Sequence, residues 1–366
     1  MSTDPLTTDP RIARSIAAQV AQGAPERPAY PWAPGSATGV GSMPGTDPAQ
    51  VCAVVIGELP DFPFLPELPG RGVGADMIGR TAALLVDMPV ETTAGGWRLA
   101  GRPGRDQRHA DSFLAFDLDA AQQAADGYRG PYKISVCGPL TLAASIELTR
   151  SLNPALADPG ALADLVNSLA EGLAQHVAGL RERIPGADIV VQLDEPSLPW
   201  VLAGRIPTAS ALNTIRALDE TAARDALGPV LAATTASTVV HCCASDYPFL
   251  LVKDSGANAV SFDLATVGRA NLDALAEVAD AGLGLLAGVL PTDAAPGERP
   301  RAPRDTAAAA VTLWRRMTLA PQRLAEQVVL TPACGLAGLS PQAARAALAH
   351  CREAARIAPE LIEEAG

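Results

Sequence analysis

Excess positive charge is missing from this chain of 366 residues, in which 28 Lys and Arg stand against 40 Asp and Glu for a net charge of −12. That balance excludes a global cationic footprint for nucleic acid or an anionic membrane surface. Lysine is nearly absent, with only Lys133 and Lys253. No apolar run reaches about 18 residues, so no membrane-spanning helix is expected. The tryptophans Trp32, Trp97, Trp200 and Trp314 are too scattered for a base-stacking platform. Cysteine is sparse at six residues, too few for a disulfide scaffold. The opening Met1-Ser2-Thr3-Asp4 has no positive stretch leading into an apolar core, as a secretory signal would. A cytoplasmic protein with reduced thiols is therefore expected, its cysteines serving as core residues, ligands or nucleophiles.

What is present suits a large folded core. Hydrophobic residues make up 48% and charged residues 19%, which excludes a largely disordered chain. A chain of this length buries roughly 75% of its unfolded surface and needs no disulfide or metal simply to fold. Residues 1–35, rich in Pro, Thr, Asp and Ala, read as a partly disordered N-terminal arm with a short helix near Ile12–Gln22. Residues 36–366 read as one domain. Eight short, nearly continuous apolar runs are expected as strands: Ala37–Ser42, Phe62–Leu68, Tyr132–Cys137, Ile189–Asp194, Thr238–Cys243, Ala259–Asp263, Leu283–Leu290 and Gln327–Cys334. Between them lie helical periodicities over Pro48–Leu59, Ala161–Arg183, Ala209–Ala226, Leu272–Ala281, Asp305–Met317 and Pro341–Ile357. This alternation predicts an α/β fold, a (β/α)8 TIM barrel with a doubly wound open sheet as the alternative. Residues 88–115 form an insertion between the second and third strands, with Arg98, Arg102, Arg105, Arg108 and His109. It reads as a hairpin or loop with solvated arginines, or as an anion-binding loop. Residues 291–305 follow the seventh strand and suit a lid.

Polar and thiol residues gather where these strands end. The fourth ends in Asp194-Glu195-Pro196, the fifth in His241-Cys242-Cys243, the sixth in Asp263 and the eighth in Cys334. In a (β/α)8 barrel the C-terminal strand ends converge on one site, so these distant residues can meet. His241 and Cys243 are two apart on a strand and face one side, while Cys242 faces the strand–helix layer. Two thiolates, an imidazole and a carboxylate form a zinc ligand set. The blander reading makes His241 a hydrogen-bonded core residue and the cysteines small core residues. With Asp263 as fourth ligand such a site carries a formal charge near −1. It is then poor at activating water and suited to holding a substrate thiol as a thiolate for attack on a methyl carbon.

These pieces resemble the C-terminal catalytic barrel of the cobalamin-independent methionine synthase family. The matching segments are Thr38-Gly39-Val40-Gly41-Ser42, Cys137-Gly138-Pro139-Leu140-Thr141, Gln192-Leu193-Asp194-Glu195-Pro196, His241-Cys242-Cys243 and Cys334-Gly335-Leu336. The resemblance implies a zinc-dependent methyltransferase that moves a methyl group from a methyltetrahydrofolate to homocysteine, forming methionine. It implies zinc on His241, Cys243 and Cys334, with Asp263, where the family has Glu, or water as the fourth ligand. It assigns Asp194 to the substrate ammonium and Val40, Gly41 and Ser42 to its carboxylate. Glu195 is expected to tune the site by hydrogen bonding, as a catalytic partner of Asp194.

The departures concern the methyl donor. Ser145 stands where the family's pterin-stacking tryptophan is expected, and Leu290 where a strand-seven histidine is expected. The stretch Gly70–Met77, where a substrate-binding glutamate belongs, contains none. The family's second, N-terminal barrel has no room in these residues. A methyl-corrinoid donor is the alternative to the folate, and a barrel that binds zinc and homocysteine without turnover is the non-enzymatic alternative. Neither nucleic acid nor membrane is expected as a partner. Lys133, on a strand with Ser135 and Cys137, reads as a structural or anion-binding residue or as a Schiff-base lysine.

Overall fold

Nine strands form among the described residues, 30–292 and 301–364, of a computed structural model. In chain order they are β1 (Val90–Thr93), β2 (Gly96–Leu99), β3 (Gly130–Cys137), β4 (Ile146–Glu147), β5 (Ala187–Asp194), β6 (Ser237–Cys242), β7 (Ala259–Asp263), β8 (Gly284–Leu290) and β9 (Val328–Pro332). The expected helix near Ile12–Gln22 and residues 293–300 of the expected lid lie outside the described residues. All these elements belong to one compact unit, Pro31–Gly366.

Six strands make one parallel sheet in the order β3-β5-β6-β7-β8-β9. Its register sets Lys133 beside Val190, Asp194 beside His241, and His241 beside Ser261. Helices Pro159–Arg183, Glu220–Leu231, Phe249–Asp254, Arg269–Asp280 and Pro303–Arg316 fill the crossovers. The period-2 alternation divides each strand between two layers. Val191, Leu193, Val240, Cys242, Val260, Phe262, Leu285, Ala287, Val328 and Leu330 join the main hydrophobic core. On the other face the same strands carry buried Lys133, Ser135, Gln192, Asp194, His241, Ser261 and Thr331. The chemistry-bearing residues therefore share the concave face of a curled sheet.

The first two expected strands differ from their expectation. Residues 37–42 and 62–68 are extended, but only isolated parallel bridges hold them: Ala37 to Leu330, Ser42 to Glu67, and Phe64 to Lys133. The cause lies in their sequence. Pro63 and Pro66 lack the N–H a ladder needs, and a Cβ on Gly39 would stand 2.3 Å from the Phe64 ring. Side chains supply what the backbone ladder omits. The buried Val40 carbonyl accepts from Lys133 Nζ at 2.6 Å, Ser135 Oγ at 3.0 Å and Gln192 Nε2 at 2.9 Å. At the opposite end of the sheet, Trp32 is buried within the segment expected to be an arm. It stacks on Phe62 with ring centroids 5.7 Å apart and donates Nε1 to the Glu326 carbonyl at 3.0 Å.

Two other expectations change. The helix expected over Ala209–Ala226 begins only at Glu220, where Asp219 caps it by accepting from Ala222 N at 2.9 Å. Residues 203–218 before it form turns, with a bridge between Pro207 and Thr214. The 88–115 insertion is the antiparallel hairpin β1–β2 followed by a helix, Arg105–Ala124, that strand-and-loop reading missed. Arg98 pairs with Glu91, while Arg105, Arg108 and His109 are exposed on that helix, as solvated residues would be.

Lys133 is fully buried, and burial pushes its pKa down to about 8 while Asp194 and Glu67 pull it upward. Below about pH 8 both folded and unfolded chains hold this proton, and the folded chain carries the whole burial cost. Between pH 8 and 10.5 only the unfolded chain holds it, so folding stability from this group rises with pH. Wild type should therefore gain up to roughly 3 kcal/mol relative to Lys133→Met across that window, read from paired denaturation curves. A constant difference between the two proteins would contradict this placement.

Candidate active site

The C-terminal edge of the parallel sheet brings three of the four expected metal ligands together. His241 lies in β6, Cys243 follows that strand directly, and Cys334 sits in the turn after β9. Cys243 Sγ and Cys334 Sγ are 3.9 Å apart, although 91 residues separate them. Both are free thiols, and Cys334 is exposed at the mouth of the sheet. Hydrogen bonds from Cys243 and His241 hold the Cys334 thiol down to about 4, well below its usual range, against the opposing effect of burial. The Cys243 thiol, the other member of this contact, is correspondingly raised. His241 Nδ1 meets Ser261 Oγ at 2.9 Å, which fixes the ring. A partner on one imidazole nitrogen is the usual arrangement for a ligating histidine.

The spacing of the two sulfurs is the one part of this set that matches a soft cation. Two sulfurs on a tetrahedral zinc ion stand about 3.8 Å apart, given bonds of about 2.3 Å. A disulfide would need about 2.05 Å. Among the described residues no group of three or more His, Cys, Asp and Glu stands close enough to hold a metal ion as placed. Asp263 ends β7, and its carboxylate accepts from Ala265 N at 2.9 Å, capping the turn Leu264–Thr266. The β6–β7 pairing ends at Cys242 with Phe262, so the next register step puts Asp263 beside Cys243.

The Val40-Gly41-Ser42 turn reaches the same edge. Leu336 N donates to the Ser42 carbonyl at 2.8 Å, which ties this turn to the one that carries Cys334. A Cβ on Gly335 would lie 2.0 Å from Ser42 Oγ, so a side chain there would turn the Ser42 hydroxyl out of this position. A Cβ on Gly41 would stand 3.2 Å from Ser135 Oγ and 3.8 Å from the Glu67 carboxyl carbon. Gly41 thus opens space between the turn and two interior polar side chains.

Glu67 is the residue sequence reasoning missed. Gly70–Met77 holds no glutamate, but Glu67 stands three positions before it, where Pro63 and Pro66 obscure the alternation that would point it inward. Its backbone bridges to the Ser42 segment through Met43 N to Glu67 O at 2.8 Å and Glu67 N to Gly41 O at 3.1 Å. Burial pushes its carboxyl up to about 7, opposed by Arg80 and assisted by Asp194. The Asp194 carboxyl is also raised by burial, while His241 and Lys133 draw it down. Gln192 Nε2 donates to Asp194 Oδ1 at 2.7 Å and orients it. Two buried acids thus face one interior next to the thiols.

Glu195 has a different place. Its oxygens accept from Leu140 N, Thr141 N and Thr141 Oγ1 at 2.7–2.8 Å, capping the helix Pro139–Ser145. A Cβ on Gly138 would lie 2.3 Å from Glu195 Oε1, which explains the glycine before Pro139. Burial raises this carboxyl to about 7 despite those donors. Ser145 turns its hydroxyl back to the Thr141 carbonyl at 2.7 Å. Among the described residues no helix is long and apolar enough to cross a membrane.

The chain resembles known proteins in sequence family and in fold. The model of the family described as "Cobalamin-independent synthase, Catalytic domain" matches residues 138–357, more than half of the chain. A methyltransferase from Methanosarcina mazei has a similar structure at 15% identity, covering 96% of this chain and 98% of that one with a TM-score of 0.55. A B12-independent methionine synthase from Shewanella sp. W3-18-1, in complex with selenomethionine, aligns at 14% identity over 68% of this chain and 67% of that one, with a TM-score of 0.48. No curated protein sequence matches the chain. The likeness to the Methanosarcina mazei methyltransferase is one of fold, and the family match covers β5 to β9 with every thiol and carboxylate described at their ends. The chain belongs to the cobalamin-independent synthase family, through its catalytic domain, and so to the methionine-synthase-like methyltransferases.

Proposed function

We propose that this chain is a zinc-dependent thiol methyltransferase whose acceptor is homocysteine. The observation that carries the reading is the contact of Cys243 with Cys334 beside His241, at the strand ends and against the Ser42 turn. Cys243, Cys334 and His241 would hold the zinc, with Asp263 or water completing the set. When bound, zinc supplies positive charge that deprotonates a substrate thiol and keeps its sulfur available as a nucleophile.

The chain's own residues place the rest of the acceptor. Asp194 and Glu67 are buried acids whose ionised forms lack enough compensating charge, and a substrate ammonium between them supplies it. The Gly41-Ser42 turn offers backbone and hydroxyl groups to the carboxylate. The buried walls exclude water, and the acceptor sulfur is left facing the open mouth. There its lone pair forms the new S–C bond as the bond from the methyl carbon to the donor breaks. Glu195 contributes by holding the helix Pro139–Ser145 against Asp194 rather than by touching substrate.

We further read the fold as a closed (β/α)8 barrel. The bridges through residues 37–42 and 62–68 run from β9 to β3, the two edges of the six-stranded sheet. For the donor, a methyltetrahydrofolate is the family reading. Ser145 bonds to its own helix and supplies no ring for a pterin, which favours a methyl-corrinoid or other donor as the second reading.

Protein purified without added metal should carry close to one zinc per chain, and Cys243→Ser combined with Cys334→Ser should remove nearly all of it, measured by elemental analysis. Unchanged zinc in a folded double variant would refute the ligand assignment. With zinc present, loss of free thiol and formation of methionine should accompany homocysteine plus methyltetrahydrofolate or methylcobalamin. Success with only the second would remove the folate reading, and homocysteine binding without turnover on any donor would favour a non-catalytic role.

A further inference from the structure

The insertion helix Arg105–Ala124 delivers one fully buried acid, Asp117, to the back of the site. Asp117 Oδ2 accepts from Arg71 Nη2 at 2.8 Å and also from Arg80 Nη1. Arg71 is fixed in turn by its stack on Phe113, 4.7 Å from the ring centroid. Arg80 is only 4% exposed, and its Nε has no hydrogen-bond acceptor. The anion nearest that Nε is Glu67 Oε1 at 3.7 Å, close enough for charge attraction and too long for a hydrogen bond.

This spacing has a consequence for Glu67. A carboxylate buried beside Asp194 without a cation would take up a proton, and a neutral acid grips an ammonium poorly. An arginine in full bidentate contact would hold Glu67 ionised but would occupy the oxygens an ammonium needs. Arg80 does neither, because Asp117 holds the other edge of its guanidinium and keeps the Glu67 contact long. We propose that Arg80, restrained by Asp117, is a positioning residue that favours the ionised form of Glu67 against burial and leaves its oxygens unoccupied, so that the insertion helix sets the enzyme's selectivity for thiols bearing an α-ammonium group. This rests on the reading of Glu67 and Asp194 as the ammonium grip.

The test compares L-homocysteine with 4-sulfanylbutanoate, which keeps the thiol and carboxylate and lacks the amine. Binding of both to the zinc-loaded protein is measured by calorimetry for wild type, Arg80→Met, Arg80→Lys, Asp117→Asn and Glu67→Gln. Wild type should prefer homocysteine. Arg80→Met and Asp117→Asn should each cut that preference by about ten-fold or more, the scale of one charged hydrogen bond. Affinity for 4-sulfanylbutanoate should change little, Arg80→Lys should recover part of the preference, and Arg80→Met with Glu67→Gln should be no worse than Glu67→Gln alone. A folded Arg80→Met or Asp117→Asn protein with wild-type preference overturns the inference and leaves the methyltransferase reading intact. Equal loss of both ligands, or failure of both variants to fold, makes the cluster structural and also overturns it. A wild-type protein without preference for the amine removes the ammonium grip itself, and the inference with it.

Discussion

One buried carbonyl, that of Val40, holds the site together. The segment carrying it has too few backbone pairings to be fixed by the sheet alone. Lys133, Ser135 and Gln192 reach it from β3 and β5 and fasten it there. Gln192 then turns its remaining N–H to Asp194, and Gly41 and Ser42 follow the anchored residue immediately. The same contacts therefore set the turn, the acid and the distance between them. The Val40 carbonyl is the shared acceptor of this buried network, in which Gln192 Oε1 alone of the Gln192 polar atoms has no hydrogen-bond partner.

The sheet explains why residues so far apart in the chain work at one place. Odd and even positions of each strand serve different purposes, apolar toward the helices and polar toward the interior. At the C-terminal edge the interior positions run out into turns, where Cys243 and Cys334 gain solvent access. Glycines adjust the fit at single points. Gly335 admits the Ser42 hydroxyl, and Gly138 admits the Glu195 carboxylate that caps the neighbouring helix. Thiols at the rim and buried acids below them give the site a soft mouth and an acidic interior.

Much of this was legible from residue order because the parallel strands β3 to β9 are apolar runs with little competing signal. Their polar ends point to His241, Cys243, Cys334 and Asp194 from residue order alone, and the structure brings His241, Cys243 and Cys334 to one edge. The less legible parts have physical causes. Pro63 and Pro66 disrupt the second extended segment and hid Glu67 from an alternation argument. Helix Arg105–Ala124 is strongly polar on its outer side, so it read as part of a loop. Residues 203–218 resembled a helix in composition, and only the Asp219 cap places the true start. Glu195 sits beside Asp194 in sequence, yet successive residues leaving a strand point to different layers, and it serves a helix terminus instead of the substrate. Arg80 and Asp117 carry no motif, since their importance lies in a contact between a turn and an inserted helix.

In the proposed site Cys243, Cys334 and His241 form a soft-metal pocket open to a guest thiol. X-ray absorption at the zinc edge of the loaded protein measures that pocket directly. Two sulfur neighbours at about 2.3 Å with nitrogen or oxygen at about 2.0–2.2 Å are expected, and a third sulfur once homocysteine is added. A shell of nitrogen and oxygen alone, or one that homocysteine leaves unchanged, would contradict the proposed site.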